Sequence, residues 1–148
     1  IGKVMPSYFK HSYWNPSFGC KVKESAANQI DFAVGKVAEV PQNCLLMMYI
    51  NISAIHYPNY FYIEGSTRDS VEAHGAALRY VDGELGRLFE AFQNKGDTFV
   101  ICCSDHGTCY GEDGYWYHGF NHPIVGTVPY KHFILRKSGE QEKVGETK

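Results

Sequence analysis

At 148 residues the chain has the length of about one domain, with room for a core of its own. Hydrophobic residues make up 44% and charged residues 20%, the balance of a globular protein rather than a disordered or fibrous one. A net charge of -2 offers no basic surface for nucleic acid, and no apolar run nears the roughly 20 residues of a membrane helix.

Residues 1–23 hold aromatics and turn formers (Pro6, Trp14-Asn15-Pro16, Gly19) without a period, and read as irregular. The chain begins at Ile1 with neither an initiator Met nor a charged-then-apolar leader, so a fragment of a longer protein is expected. Ala27, Ile30, Val34 and Val37 recur at three and four, predicting a helix over about 25–39 that Pro41 stops. The apolar run from Leu45 to Ile52 predicts a buried strand, followed by a loop holding His56. Val71, His74, Leu78, Val81, Leu85, Leu88 and Phe92 form one face of a helix over about 69–93, closed by Asn94-Lys95-Gly96. Within that face His74 reads as a satisfied core histidine.

Thr98-Phe99-Val100-Ile101-Cys102-Cys103 predicts a strand buried on both faces, like those inside parallel sheets. Strand, helix, strand is a βαβ unit, so strands 45–52 and 98–104 should run parallel and deliver their loops to one sheet edge. Residues 108–128 carry Gly, aromatics and polar groups with no period, a loop long enough to be functional. Tyr130 to Leu135 predicts a last strand, and residues 137–148 a polar, disordered tail. Five cysteines (Cys20, Cys44, Cys102, Cys103, Cys109) without CxxC spacing suggest reduced thiols and a cytoplasmic location, with adjacent Cys102 and Cys103 as small core residues.

Directly after the 98–103 run stands Ser104-Asp105-His106-Gly107. The carboxyl end of a parallel strand is where open α/β sheets place ligands, and Asp and neutral His supply oxygen and nitrogen donors to a divalent cation. The plain alternative is a strand-end turn with a solvated carboxylate and imidazole.

That tetrapeptide, then Gly111-Glu112, then His118-Gly119, then Val128-Pro129, resembles the C-terminal half of the alkaline phosphatase superfamily. The pattern is most similar to its sulfatase-like branch, which includes phosphoethanolamine and lipoteichoic-acid transferases. Asn51-Ile52-Ser53-Ala54-Ile55-His56-Tyr57-Pro58 resembles the branch's strand followed by His-x-Pro, and Tyr80-Val81-Asp82 its helix motif. The resemblance implies an α/β three-layer sandwich with a mainly parallel sheet, residues 1–136 being the C-terminal portion of a sulfatase-like domain. It implies a metal-dependent hydrolase or transferase of phosphate or sulfate esters, with small anionic esters as substrates. Asp105 and His106 would be metal ligands, to Zn²⁺ or alternatively Mn²⁺ or Ca²⁺. His118 would lie across the site as a second-metal ligand or a hydrogen-bond donor to the substrate, with His56 as its partner. The family nucleophile and first-strand acidic ligand match nothing here, which places them upstream and leaves this segment inactive by itself. Asn51, where the two-zinc phosphatases carry an Asp, weakens the case for a full second metal site.

His122 competes with His118 for the cross-site role; the Gly after His118 favours the latter. Cys109 is at most a minor candidate ligand. Glu112 and Asp113 read as loop caps, Tyr115, Trp116 and Tyr117 as pocket wall or loop packing, and His11 and His132 carry no role. The rival readings are a non-catalytic, metal-containing binding module that keeps the fold, and an unrelated α/β binding domain.

Overall fold

The computed structural model describes residues 8–139, which form helices packed with short antiparallel ladders, a mixed α/β arrangement. Helix α1 (Ser25–Glu39) buries Ala26, Ile30, Ala33 and Val37, and α2 (Val71–Lys95) buries Ala73, Ala77, Val81 and Leu88. Both stripes follow the 3.6-residue period. On α2 the buried stripe lies one step round from the expected face. Val71 and Leu78 are exposed, while small Ala73 and Ala77 take the inner positions.

The helix ends are set by local chemistry. Ser70 caps α2 by accepting from the Ala73 amide at 3.1 Å. Glu24 gives α1 no side-chain cap, so the Ala27 amide donates instead to the Tyr80 hydroxyl of α2 at 3.1 Å. Arg87 of α2 pairs with Asp31 of α1 and with Glu84, a further tie between the helices.

Residues 45–52 run extended against this pair. Leu46, Met48, Ile50 and Ile52 pack on the core around Ile30, Val37 and Leu88, while Leu45, Met47 and Tyr49 face outward. The expected buried strand is therefore an extended segment buried on one face, and it joins no ladder among the described residues. Its polar ties run instead to α1, where Gln29 donates to the Asn51 carbonyl at 2.7 Å and accepts from the Ser53 amide at 3.1 Å.

Strand β1 (Thr98–Cys103) pairs antiparallel with β4 (Tyr130–Leu135), from Thr98 opposite Leu135 to Cys103 opposite Tyr130. A mainly parallel sheet is thus not what the described ladders form. β4 returns along β1 after the long 104–129 connection, and an antiparallel partner needs no crossover helix. Phe133 faces the helices, edge-on to Phe89 at 5.7 Å, while Phe99, Ile101 and Ile134 point outward. Cys102 and Cys103, expected in the core, are both exposed, at the end of the ladder where neither face is covered.

The expected irregular loop 108–128 contains a tight hairpin, β2 (Cys109–Tyr110) with β3 (Trp116–Tyr117), and a short helix α3 (Pro123–Gly126). Two-residue strands are too short to show alternation in a sequence. Lys137 and Ser138, the start of the expected tail, bond to Asp97 and to the Gln93 carbonyl at 2.9 and 3.0 Å. Residues 140–148 of the expected disordered tail, and the first seven residues of the irregular N-terminal stretch, lie outside the described residues.

Candidate active site

At the carboxyl end of β1 the chain folds tightly on itself. The Ser104 hydroxyl donates to the His106 carbonyl at 2.6 Å, and Asp105 Oδ1 accepts the His106 amide at 3.1 Å. The Gly107 amide donates to the Val125 carbonyl of α3 at 2.9 Å. A Cβ at residue 107 would sit 1.9 Å from the Ile124 carbonyl oxygen, so glycine here is a demand of space.

Two imidazoles are held in one tautomer by their own backbone. His106 Nδ1 lies 2.9 Å from the Gly107 carbonyl and His56 Nδ1 2.6 Å from the Tyr57 carbonyl. A carbonyl only accepts, so each Nδ1 carries a proton, and in the neutral imidazole each Nε2 keeps its lone pair. The His106 Nε2 is 3.8 Å from Asp105 Oδ1.

His118 is aimed by an uncommon backbone. Tyr117 before it has φ 69°, the left-handed region that bulky residues avoid, and Gly119 after it has φ 101°. The ring of Tyr57 packs on that of Tyr117 at 4.4 Å and holds this turn in place. The His118 ring then lies 4.0 Å from that of His106 and 5.4 Å from that of His56. Its Nδ1 is buried with no hydrogen-bond partner among the described residues. Burial, and then the neighbouring His106 and His56, push its pKa down, against an opposing pull from Asp105.

Three of the four expected residues therefore meet ring to ring, with Asp105 alongside. The donor chemistry suits a divalent cation, since a ligating His characteristically donates its other N–H to a carbonyl or carboxylate. The set is incomplete, however. Among the described residues no three His, Cys, Asp or Glu side chains are grouped closely enough to hold a metal by themselves.

His122 is engaged elsewhere. Its Nδ1 accepts the Ile124 amide at 3.2 Å and faces Cys109 Sγ at 3.4 Å, while its Nε2 is 3.1 Å from Asp113 Oδ2. Both nitrogens of His122 are therefore taken. Cys109 is consumed in the same contact. Glu112 accepts the Tyr110 amide at 2.6 Å, so both acidic residues of the hairpin act as loop pins. Tyr115 packs on Phe120 at 4.8 Å and Trp116 lies against Gly111, so the aromatic run chiefly packs the loop down.

An open cavity of about 430 Å³ lies beside the histidines, lined by His106, His118, Gly119, Phe120, Asn121 and Val125. Its size is in the range of small-molecule sites. Sequence reasoning passed over Tyr57, Asn59, Tyr110, Phe120, Asn121 and Val125. Only their closeness to His56, Asp105 and His118 along the chain could have marked them.

The sulfatase family matches over residues 12–130, a span that holds every residue of this cluster. Choline-sulfatase of Rhizobium meliloti (strain 1021) is 34% identical over 64 residues, which is 41% of this chain and 12% of that relative. No solved structure gives a significant match. The motif at the end of β1, the gathered histidines and the extent of the family match lead to one conclusion: the chain belongs to the sulfatase family, within the alkaline phosphatase superfamily.

Proposed function

We propose that this chain carries one side of the active site of a metal-dependent hydrolase of small sulfate esters, with phosphate esters as the second substrate class and an alcohol acceptor as the variant reaction. The observation that carries the reading is the meeting of His56, His106 and His118 beside Asp105, with two Nε2 lone pairs left free by backbone-bound Nδ1 protons. In this reading Asp105 and His106 hold the cation, and His56 and His118 flank the ester, as further ligands or as contacts to its oxygens. A divalent cation at such a position polarises the ester and lowers the pKa of a nucleophile.

The residues perform the remaining tasks. Asp105 supplies a carboxylate beside His106 and His118, balancing cationic charge there. Mutual crowding and burial keep His118 unprotonated near neutral pH, available to take a proton or to ligate. Phe120 and Val125 give the cavity apolar wall for the organic part of the ester, and Asn121 one polar contact. The nucleophile and further ligands are proposed to come from sequence preceding Ile1.

The test is metal content and turnover of aryl sulfate, phosphate monoester and phosphodiester substrates by the full-length protein. Asp105→Ala should lose both metal and turnover. His118→Ala should keep most of the metal while turnover falls by about 10²–10³-fold, the scale for removing one group that meets transition-state charge. Unchanged turnover in Asp105→Ala would overturn the mechanism. Bound metal without turnover on the whole panel would make the protein a binding module.

A further inference from the structure

We infer that Tyr110, joined to Asn59 and His74, is a positioning residue that sets His118 against His56. The inference rests on the reading of those two histidines as parts of the active site. It starts from a polar trio that the hydrolytic chemistry does not use. Tyr110 Oη lies 2.9 Å from Asn59 Nδ2 and 2.8 Å from His74 Nδ1.

Each member belongs to a different piece of the fold. Asn59 follows His56 by three residues and is fully buried. Its amide and that of Tyr60 both donate to Asp69 Oδ1, at 2.7 and 2.9 Å, which fixes the His56 loop to the start of α2. His74 stands in the first turns of α2. Tyr110 is in β2, directly opposite Trp116 in β3, and β3 runs straight into His118.

The contacts accommodate a relay in which the Asn59 amide donates to the Tyr110 hydroxyl and that hydroxyl donates its own proton to His74 Nδ1. His74 must then be neutral, and its burial pushes its pKa down in the same sense. Apolar packing could have joined these elements without a buried hydroxyl, amide and imidazole. A buried polar trio adds direction, because hydrogen bonds hold their partners to a narrow range of geometries. Together with Tyr57 on Tyr117, it ties the hairpin to the His56 loop on both of its strands. His56 directly precedes Tyr57 and His118 directly follows Tyr117, so both rings, 5.4 Å apart, adjoin these ties along the chain.

The experiment uses full-length protein carrying Tyr110→Phe, His74→Asn or His74→Leu. It reads the ring NMR signals of His56 and His118 together with kcat and KM on an aryl sulfate. Asn places an acceptor oxygen near the position of Nδ1, whereas Leu offers none. Tyr110→Phe and His74→Leu should move the His118 ring signals and lower kcat by about tenfold with KM held, the usual scale for losing a supporting hydrogen bond. His74→Asn should keep both close to wild type. His118 signals unmoved in Tyr110→Phe, or His74→Asn failing as His74→Leu does, would overturn the inference. Tyr110→Phe keeps the ring and decides the matter alone should His74→Leu not fold. A wild-type protein without turnover would remove the proposed function, while the ring signals would still decide the positioning role.

Discussion

The helix pair and the 104–128 segment are held by different forces. Between α1 and α2 the hold is apolar burial, with Ile30, Ala33, Val37 and Leu88 in one cluster and Ala26, Ala54 and Val81 in another. In the 104–128 segment it is directional: Gly107 on Val125, Glu112 on Tyr110, His122 between Asp113 and Cys109, Tyr110 between Asn59 and His74. Burial tolerates small displacements and sets stability. A hydrogen-bonded pin tolerates few and sets where a side chain points. The division teaches that this molecule keeps its cohesion in one region and its aim in another.

The largest effect on cohesion should come from Ile30→Ala, which empties a fully buried position in the helix cluster. A loss of about 2–5 kcal/mol by denaturant unfolding is expected, with turnover per folded molecule unchanged. A matching fall in kcat at full folding would break the division. Gly107→Ala should cost less, about 1–3 kcal/mol from forced overpacking, yet cut turnover more, because the Ile124 carbonyl must move away from β1's exit. If unfolding and kinetics show Gly107→Ala to be harmless to turnover, the loop's aim does not depend on that contact.

The smallest expected effect is one of pH. His74 has its pKa pushed down from 6.5 by burial, so the unfolded chain takes up its proton first as pH falls. Stability should therefore be level above about pH 6.5 and decline below it, and His74→Asn should flatten that part of the curve. Chemical unfolding at several pH values for both proteins measures this. A decline of equal slope in His74→Asn would assign it to other groups.

The helices were legible because they are written in periods and stops: Ile30 and Val37 at helical spacing, Pro41 after α1, Asn94-Lys95-Gly96 at the end of α2. The grouping of His56, His106 and His118 beside Asp105 was legible because short motifs at the ends of separate segments carry it. The ladders were not. The run from Thr98 to Cys103 looks alike whether one face or two are covered, and nothing in it names an antiparallel partner at Tyr130 to Leu135. The positioning trio was hidden for a different reason. Tyr110 lies 51 residues from Asn59 and 36 from His74, and bonds between side chains so far apart leave no period to read.

The burial of Cys109 has a practical side. Cys44, Cys102 and Cys103 are open to solvent, and Cys20 is partly so, whereas Cys109 is sealed beneath His122. Burial, with Glu112 and Asp113 nearby, also pushes its thiol pKa up, so little thiolate forms. An alkylating reagent should exhaust the open thiols first and reach Cys109 only when the hairpin lifts. The slow phase of labelling then becomes a clock for the opening of the segment that carries His118, read by mass spectrometry without any substrate.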